Sequence, residues 1–190
     1  NTTSAVDLSW LFYECNDLIQ RDFVADKPMT KLFTDTTYIP SPHAKQGFFY
    51  LSAYIDGYNN AALAPALSES NDTKLAMKSI RQLELNENSI IHSDHGSMYT
   101  SNKFSEFIVN HGAKQSMGRV GKSLDNRPIE FFWSNIKDEF IDKIPYDERT
   151  YKRVWEAIIE YINWYNKYRR QSCLMQLAPF MMANSIIKYY

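Results

Sequence analysis

Three strand-like runs follow one another between residues 31 and 70 with only turns between them, and from residue 71 onward helix-like and strand-like segments alternate. No other feature constrains the fold as much. Strands joined by short turns pair antiparallel, whereas a strand reached through a helix can enter the sheet in parallel. The first run, "KLFTDTTYIP" (31–40), is rich in Thr, Phe, Tyr and Ile and is stopped by Pro40 and Pro42. The second, "FFYLSAYIDGYNN" (48–60), ends in turn residues from Gly57 to Asn60. The third, "AALAPALSES" (61–70), contains Pro65, which confines it to a sheet edge or a bulge.

The remaining elements follow from periodicity. Asn71 or Asp72 can cap a helix through "TKLAMKSIRQLEL" (73–85), with Leu75, Met77, Ile80 and Leu83 near helical spacing. "SIIHSD" (89–94) is a short apolar strand placed for parallel pairing. "SNKFSEFIVNHG" (101–112) predicts a helix capped by Ser101 and ended by Gly112. "AKQSMGRVGKSL" (113–124) holds one more strand and a loop. "RPIEFFWSNIKDEF" (127–140) predicts a helix whose apolar face is Ile129, Phe132, Trp133, Ile136 and Phe140. A long helix over about 147–168 and a short closing helix complete the chain. The expected architecture is an α/β layered domain with a mixed five-stranded sheet.

Three acids fall where chemistry can use them. Asp35 lies inside the first strand, where aspartate is depleted. Asp94 ends "SIIHSD", at the strand end where open α/β sheets place their sites. Glu130 opens a helix, beside its apolar stripe and on an edge shared with Ser134 and Lys137. Converging carboxylates repel unless cations lie between them, and hard oxygen donors select Mg²⁺ or Mn²⁺. Two such ions suit phosphodiester chemistry. Taken singly, each acid reads more readily as an edge, turn or solvated helix residue. Asp56, at another strand end, competes with Asp35. His92 and His95 flank Asp94 without a third partner in view and read as neighbours rather than ligands.

Bulk properties exclude other classes. No apolar run reaches the roughly 18 residues of a membrane helix. The start lacks a basic segment followed by an apolar one, so no signal peptide is expected. It also lacks Met, and a piece of a longer protein is expected. Cys15 and Cys173 are too few for a disulfide framework and fit a reducing compartment. His43, His92, His95 and His111 show no zinc-finger spacing. A formal charge of −1 gives no bulk nucleic-acid signal, although a local basic patch can coexist with an acidic site.

The ordered motifs resemble the catalytic core of bacterial insertion-sequence transposases of the retroviral-integrase type. "KLFTDTTYIP" resembles that family's Trp-x-x-Asp-x-Thr-Tyr strand, and "HSDHGSMYTS" its His-Ser-Asp-x-Gly-x-x-Tyr-x-Ser element. "SMGRVGKSLDNRPIEFFWSNIKDE" is similar to its Ser-Met-Ser-Arg element with the triad Glu, and "YINWYNKYRRQSCLMQLAPFMM" to its closing element. Positions 94 and 130 leave 35 residues between them, the family's signature separation. Leu32 departs from the family Trp, Gly118 from a Ser, and "GYNNAALAPALSES" lacks the usual basic residue.

The resemblance implies a ribonuclease H-like fold with helices on both faces of the sheet. It implies a catalytic and metal-binding triad of Asp35, Asp94 and Glu130, two Mg²⁺ or Mn²⁺ ions, and cleavage and strand transfer at transposon ends. DNA would be substrate and partner, contacted by Arg119, Lys122 and Lys137, with copies of the chain associating on it in the bacterial cytoplasm. Residues 1–27 are expected to be a linker or remnant of an upstream region, 28–182 the core with its C-terminal helices, and 183–190 a tail. End recognition by a helix-turn-helix lies outside this stretch. A ribonuclease H-like nuclease, and a relic or assembly module that binds DNA without cutting, are the competing readings.

Overall fold

The computed structural model describes residues 16–119 and 123–186. Strands β1 (Lys31–Pro40), β2 (Phe48–Asp56) and β3 (Ala62–Ser68) come first. Then follow α1 (Thr73–Ile80), β4 (Ile90–Ser93), α2 (Asn102–Asn110) and β5 (Lys114–Met117). Helices α3 (Arg127–Glu139), α4 (Tyr151–Lys167) and α5 (Pro179–Ile186) close the described chain. The sheet order is β3-β2-β1-β4-β5. β1 pairs antiparallel with β2 and β2 with β3, while β4 lies parallel to both β1 and β5. The five strands therefore divide as the order of segments predicts.

Helices cover both faces. Residues on one parity of β1 and β2, among them Phe33, Ile39, Phe49, Leu51 and Ile55, pack on Ile129, Phe132, Ile136, Ile158, Tyr161 and Tyr165 of α3 and α4. Leu32, Tyr54 and Ile91 point the other way, onto Leu75, Ile80, Phe104 and Ile108 of α1 and α2. Alternation along a strand thus decides which helical layer each side chain meets. Asp35 shares its parity with Phe33 and Ile39, so the pleat turns it toward α3.

β3 is an edge strand, as Pro65 requires. Its register with β2 shifts between Ser52 and Tyr54, so the segment around Pro65 bulges, and Ala64 takes φ +51°. Side chains from the helices occupy the strand's carbonyls. Ser79 Oγ donates to Ala64 O at 2.6 Å, Gln82 Nε2 to Pro65 O at 3.0 Å and Lys78 Nζ to Leu67 O at 3.2 Å. Tyr151 Oη donates to Leu67 O at 3.0 Å. Asn166, buried on α4, both accepts from Ala62 N at 2.9 Å and donates to Ala62 O at 2.8 Å. Asn166→Ala would strand that peptide's donor and acceptor together. We expect it to lower unfolding free energy by about 2 kcal/mol, read by urea unfolding; an unchanged midpoint would mean that this pairing holds nothing.

Candidate active site

The register of the parallel pair places two of the acids. Leu32 pairs with Ile91 and Phe33 with His92. Continued by two residues, that register brings Asp94 alongside Asp35, on the face turned to α3. β4 ends at Ser93, so Asp94 is the first residue beyond it and is exposed. Its Oδ1 accepts the Gly96 N–H at 2.9 Å. A Cβ at position 96 would stand 2.9 Å from that oxygen, so a larger residue there would push the Asp94 carboxylate aside.

Glu130 is carried by α3, and the start of α3 is fixed to β1. Asn126, at the helix N-cap position, makes no side-chain capping bond. Its Nδ2 donates instead to Thr34 O at 2.8 Å, one residue before Asp35. The preceding Asp125 is buried and gathers two arginines. Arg21 Nε reaches Oδ1 at 2.8 Å, while Arg119 reaches Oδ2 with Nε at 2.8 Å and Oδ1 with Nη2 at 3.0 Å. These hydrogen bonds hold the Asp125 carboxyl well below the usual carboxylate range. His92 closes the same cluster. Asp125 O can only accept, so the 3.0 Å contact makes His92 Nε2 the N–H, and Nδ1 accepts from Ser116 Oγ at 2.8 Å. Burial lowers the His92 pKa and keeps it neutral. With both nitrogens engaged, His92 has no lone pair free for a metal. Gly118 belongs to this packing too, since a Cβ there would press within 3.1 Å of Asp125 Cβ.

Electrostatics link the three acids. The Asp35 pKa is pushed up to about 7, first by burial and then by the Asp94 charge, with a smaller push from Glu130. The Thr36 N–H, 2.6 Å from Asp35 Oδ1, and the Trp133 indole N–H pull it down. Burial also raises the Glu130 pKa. Among the described residues, no three Asp, Glu, His or Cys side chains stand close enough to grip a single ion. The Gly96 N–H occupies Asp94 Oδ1 only, and the carboxylate keeps further lone pairs to offer an ion. The donor set nevertheless suits a hard divalent cation. It is all carboxylate oxygen, and burial together with the Asp94 charge leaves Asp35 half protonated at neutral pH.

The other candidates divide. Lys137 lies two helical turns after Glu130, its Nζ 4.8 Å from the Tyr38 ring centroid. Burial lowers its pKa against the pull of Asp142 and Asp35. Arg119 is turned onto Asp125, and Lys122 lies outside the described residues. Asp56 ends β2 and holds the neighbouring turns, accepting from Met29 N and Tyr58 N at 3.0 and 2.9 Å beside the start of β1. His95 is exposed. Sequence reasoning missed Asp125, Asn126 and Trp133, although all three sit in the stretch that carries Glu130. Glu139 and Arg169, also in motif stretches, bond each other, Nη2 to Oε1 at 2.6 Å, and tie the end of α3 to the segment after α4.

A mixed sheet in this order, layered by helices on both faces, is the ribonuclease H-like fold. Comparison with solved structures agrees. A chain of the simian T-cell lymphotropic virus intasome superposes with TM-score 0.66 at 15% identity, over 84% of this chain and 55% of that one. The HTLV-2 integrase catalytic core domain in complex with magnesium, dimeric form, gives TM-score 0.56 at 16% identity, over 83% of this chain and 97% of that one. The integrase core domain model matches residues 25–123, and a second integrase core domain model matches 111–179. The chain belongs to the integrase core domain family, in its insertion-sequence transposase branch.

Among its relatives is the InsK protein for insertion sequence element IS150 of Escherichia coli. It is 32% identical over 174 residues, covering 88% of this chain and 59% of the relative. An uncharacterized transposase-like protein of Haemophilus influenzae is 33% identical over 170 residues, 86% of this chain and 75% of the relative. The transposase for IS904 of Lactococcus lactis is 31% identical over 168 residues, 86% and 64% respectively. The chain thus spans about three-fifths of the length of the first of these.

Proposed function

We propose that the chain is a metal-dependent catalytic core that cuts DNA at transposon ends and joins the freed 3′-hydroxyl to another phosphodiester. The observation that carries this reading is the Asp35 carboxyl, half-buried beside Asp94 and facing the helix of Glu130, with its pKa raised to about 7. Asp35, Asp94 and Glu130 would hold Mg²⁺ or Mn²⁺, two ions in all. The chemistry that such ions supply is activation of the attacking oxygen and neutralisation of charge gathering on the phosphate.

The chain's own residues set the geometry. Asp35 gives up its proton to become a ligand. Asp94 would supply a second carboxylate to the ion. Asn126 keeps Glu130 in step with β1. Lys137 is the cation best placed to meet a DNA phosphate near the site, because its amine stays close to Asp35 on the Glu130 side of α3. Arg119 meets DNA only with the donors that Asp125 leaves free, and Lys122 is proposed on the sequence resemblance alone. DNA is substrate and partner, and copies of the chain assemble on it in the bacterial cytoplasm.

The test uses duplex oligonucleotides carrying the ends of the element that encodes the chain, with Mg²⁺ or Mn²⁺ and with EDTA. Joined products that vanish with EDTA are expected. Metal-dependent nicking without joining would favour a ribonuclease H-like nuclease. Absence of both metal-dependent product and saturable Mn²⁺ binding would favour a non-catalytic relic.

A further inference from the structure

Trp133 follows Glu130 by one helical turn, and its side chain is 6% exposed. Its indole Nε1 is fully buried and has no hydrogen-bond partner. A buried donor left unpaired costs about 1–3 kcal/mol, and native proteins retain few of them. The ring cannot easily turn away, because it is packed in the α3 layer with its centroid 5.3 Å from that of Phe132. The carboxyl that senses this N–H as a donor is Asp35. The two stand near enough to interact, yet short of a formed hydrogen bond. Asp35 Oδ1 already receives the Thr36 N–H at 2.6 Å. A phenylalanine here would carry no orphan donor, but its smaller ring would leave part of the indole's volume unfilled.

On the reading that Asp35 is a cation ligand, we propose that Trp133 is a positioning residue whose indole N–H engages the Asp35 carboxylate once a divalent cation is bound. Thr36 and Trp133 then occupy the protein side of the carboxylate, and its remaining lone pairs face the ion. Donors that orient a ligand in this way typically alter metal affinity by about 10–100-fold. The indole never touches substrate or metal. It acts through Asp35.

The test compares wild type, Trp133→Phe, Asp35→Asn and the double variant, all as the full chain. Mn²⁺ binding is followed by the paramagnetic resonance of the free ion, and the thermal midpoint is measured without metal. Trp133→Phe should move the metal-free midpoint by only a few degrees, because deleting an unpaired donor offsets the smaller ring, while weakening Mn²⁺ binding about tenfold. Added to Asp35→Asn, it should change nothing further. Wild-type Mn²⁺ affinity in Trp133→Phe overturns the proposal, as does an equal loss in both backgrounds. Wild type without saturable Mn²⁺ binding overturns the metal reading as well. A second measurement needs no core substitution. In ¹⁵N-labelled wild type, the Trp133 indole N–H resonance should shift and its exchange slow when Mg²⁺ is added, and neither should happen in Asp35→Asn. A resonance indifferent to Mg²⁺ up to saturation also overturns it.

Discussion

Asp35→Asn is expected to stabilise the metal-free protein at pH 8, by about 2–4 kcal/mol, while destroying its affinity for Mn²⁺. The Asp35 pKa rises from 3.8 to about 7 on folding, mainly because the carboxyl is buried and then because Asp94 lies beside it. Between those values the folded protein binds more protons than the unfolded chain, so stability falls as pH rises through the window and stays low above it. A rise of about three pH units, each worth about 1.4 kcal/mol, sets a ceiling near 4 kcal/mol. Asparagine has no charge to bury, so the variant escapes this loss. Urea unfolding of both proteins at pH 4, 6 and 8 reads the effect. The two curves should nearly coincide at pH 4 and separate toward pH 8. A variant no more stable than wild type at pH 8 would refute the claim that Asp35 ionises under strain. Glu130 works in the same direction, since burial raises its pKa too. Asp125 works in the opposite direction. Its pKa is depressed, so its stabilising contribution is present above the ordinary carboxylate range and is lost as pH falls well below it.

Asp94→Asn should reduce metal-dependent joining by at least about 10³-fold and leave the fold almost untouched. The side chain is exposed, and its main internal partner, the Gly96 N–H, can be received equally well by an amide oxygen. What asparagine cannot supply is the negative charge that, on the proposed reading, would share a cation with Asp35. The check is the initial rate of product formation in saturating Mg²⁺, set beside thermal midpoints of both proteins. Joining within tenfold of wild type would remove Asp94 from the site. A midpoint several degrees lower would mean that the turn at Gly96 depends on the carboxylate in a way the hydrogen bond does not suggest.

The strand plan was readable because each strand carries its own signal. "KLFTDTTYIP" and "FFYLSAYID" became β1 and β2 residue for residue, and Pro65 marked β3 as the edge. Helix ends were less legible. The pattern of Leu75, Met77, Ile80 and Leu83 predicts a helix to residue 85, yet α1 ends at Ile80, and Leu83 and Leu85 pack from the segment that follows. Apolar spacing cannot distinguish a helical turn from a loop lying on the same core. The long helix begins at Tyr151 rather than near 147, because Thr150 Oγ1 accepts from Arg153 N and sets the start. Ser101 takes the N-cap position without capping; its hydroxyl donates to Met98 O instead.

At the site, strand position and spacing pointed to the three acids. They said nothing of Arg119's partner. Asp125 is six residues from Arg119 and 104 from Arg21, and its burial arises only when His92, Gly118 and both arginines converge. Trp133 was legible as core, and its indole N–H was not, because an unpaired donor is defined by what the folded chain fails to place beside it.

The occupied carbonyls of β3 have a consequence for crowding. A bare sheet edge is a template on which a second chain can polymerise, and short runs of Ala and Leu are prone to this. Here Asn166, Ser79, Gln82, Lys78 and Tyr151 already fill positions that a foreign strand would need, and the bulge at Pro65 breaks the straight line that it would follow. The flank at β3 is closed to amyloid-like growth as long as α1 and α4 stay docked. Copies of the chain brought together at high local concentration can then meet through helices and loops without zipping together along β3.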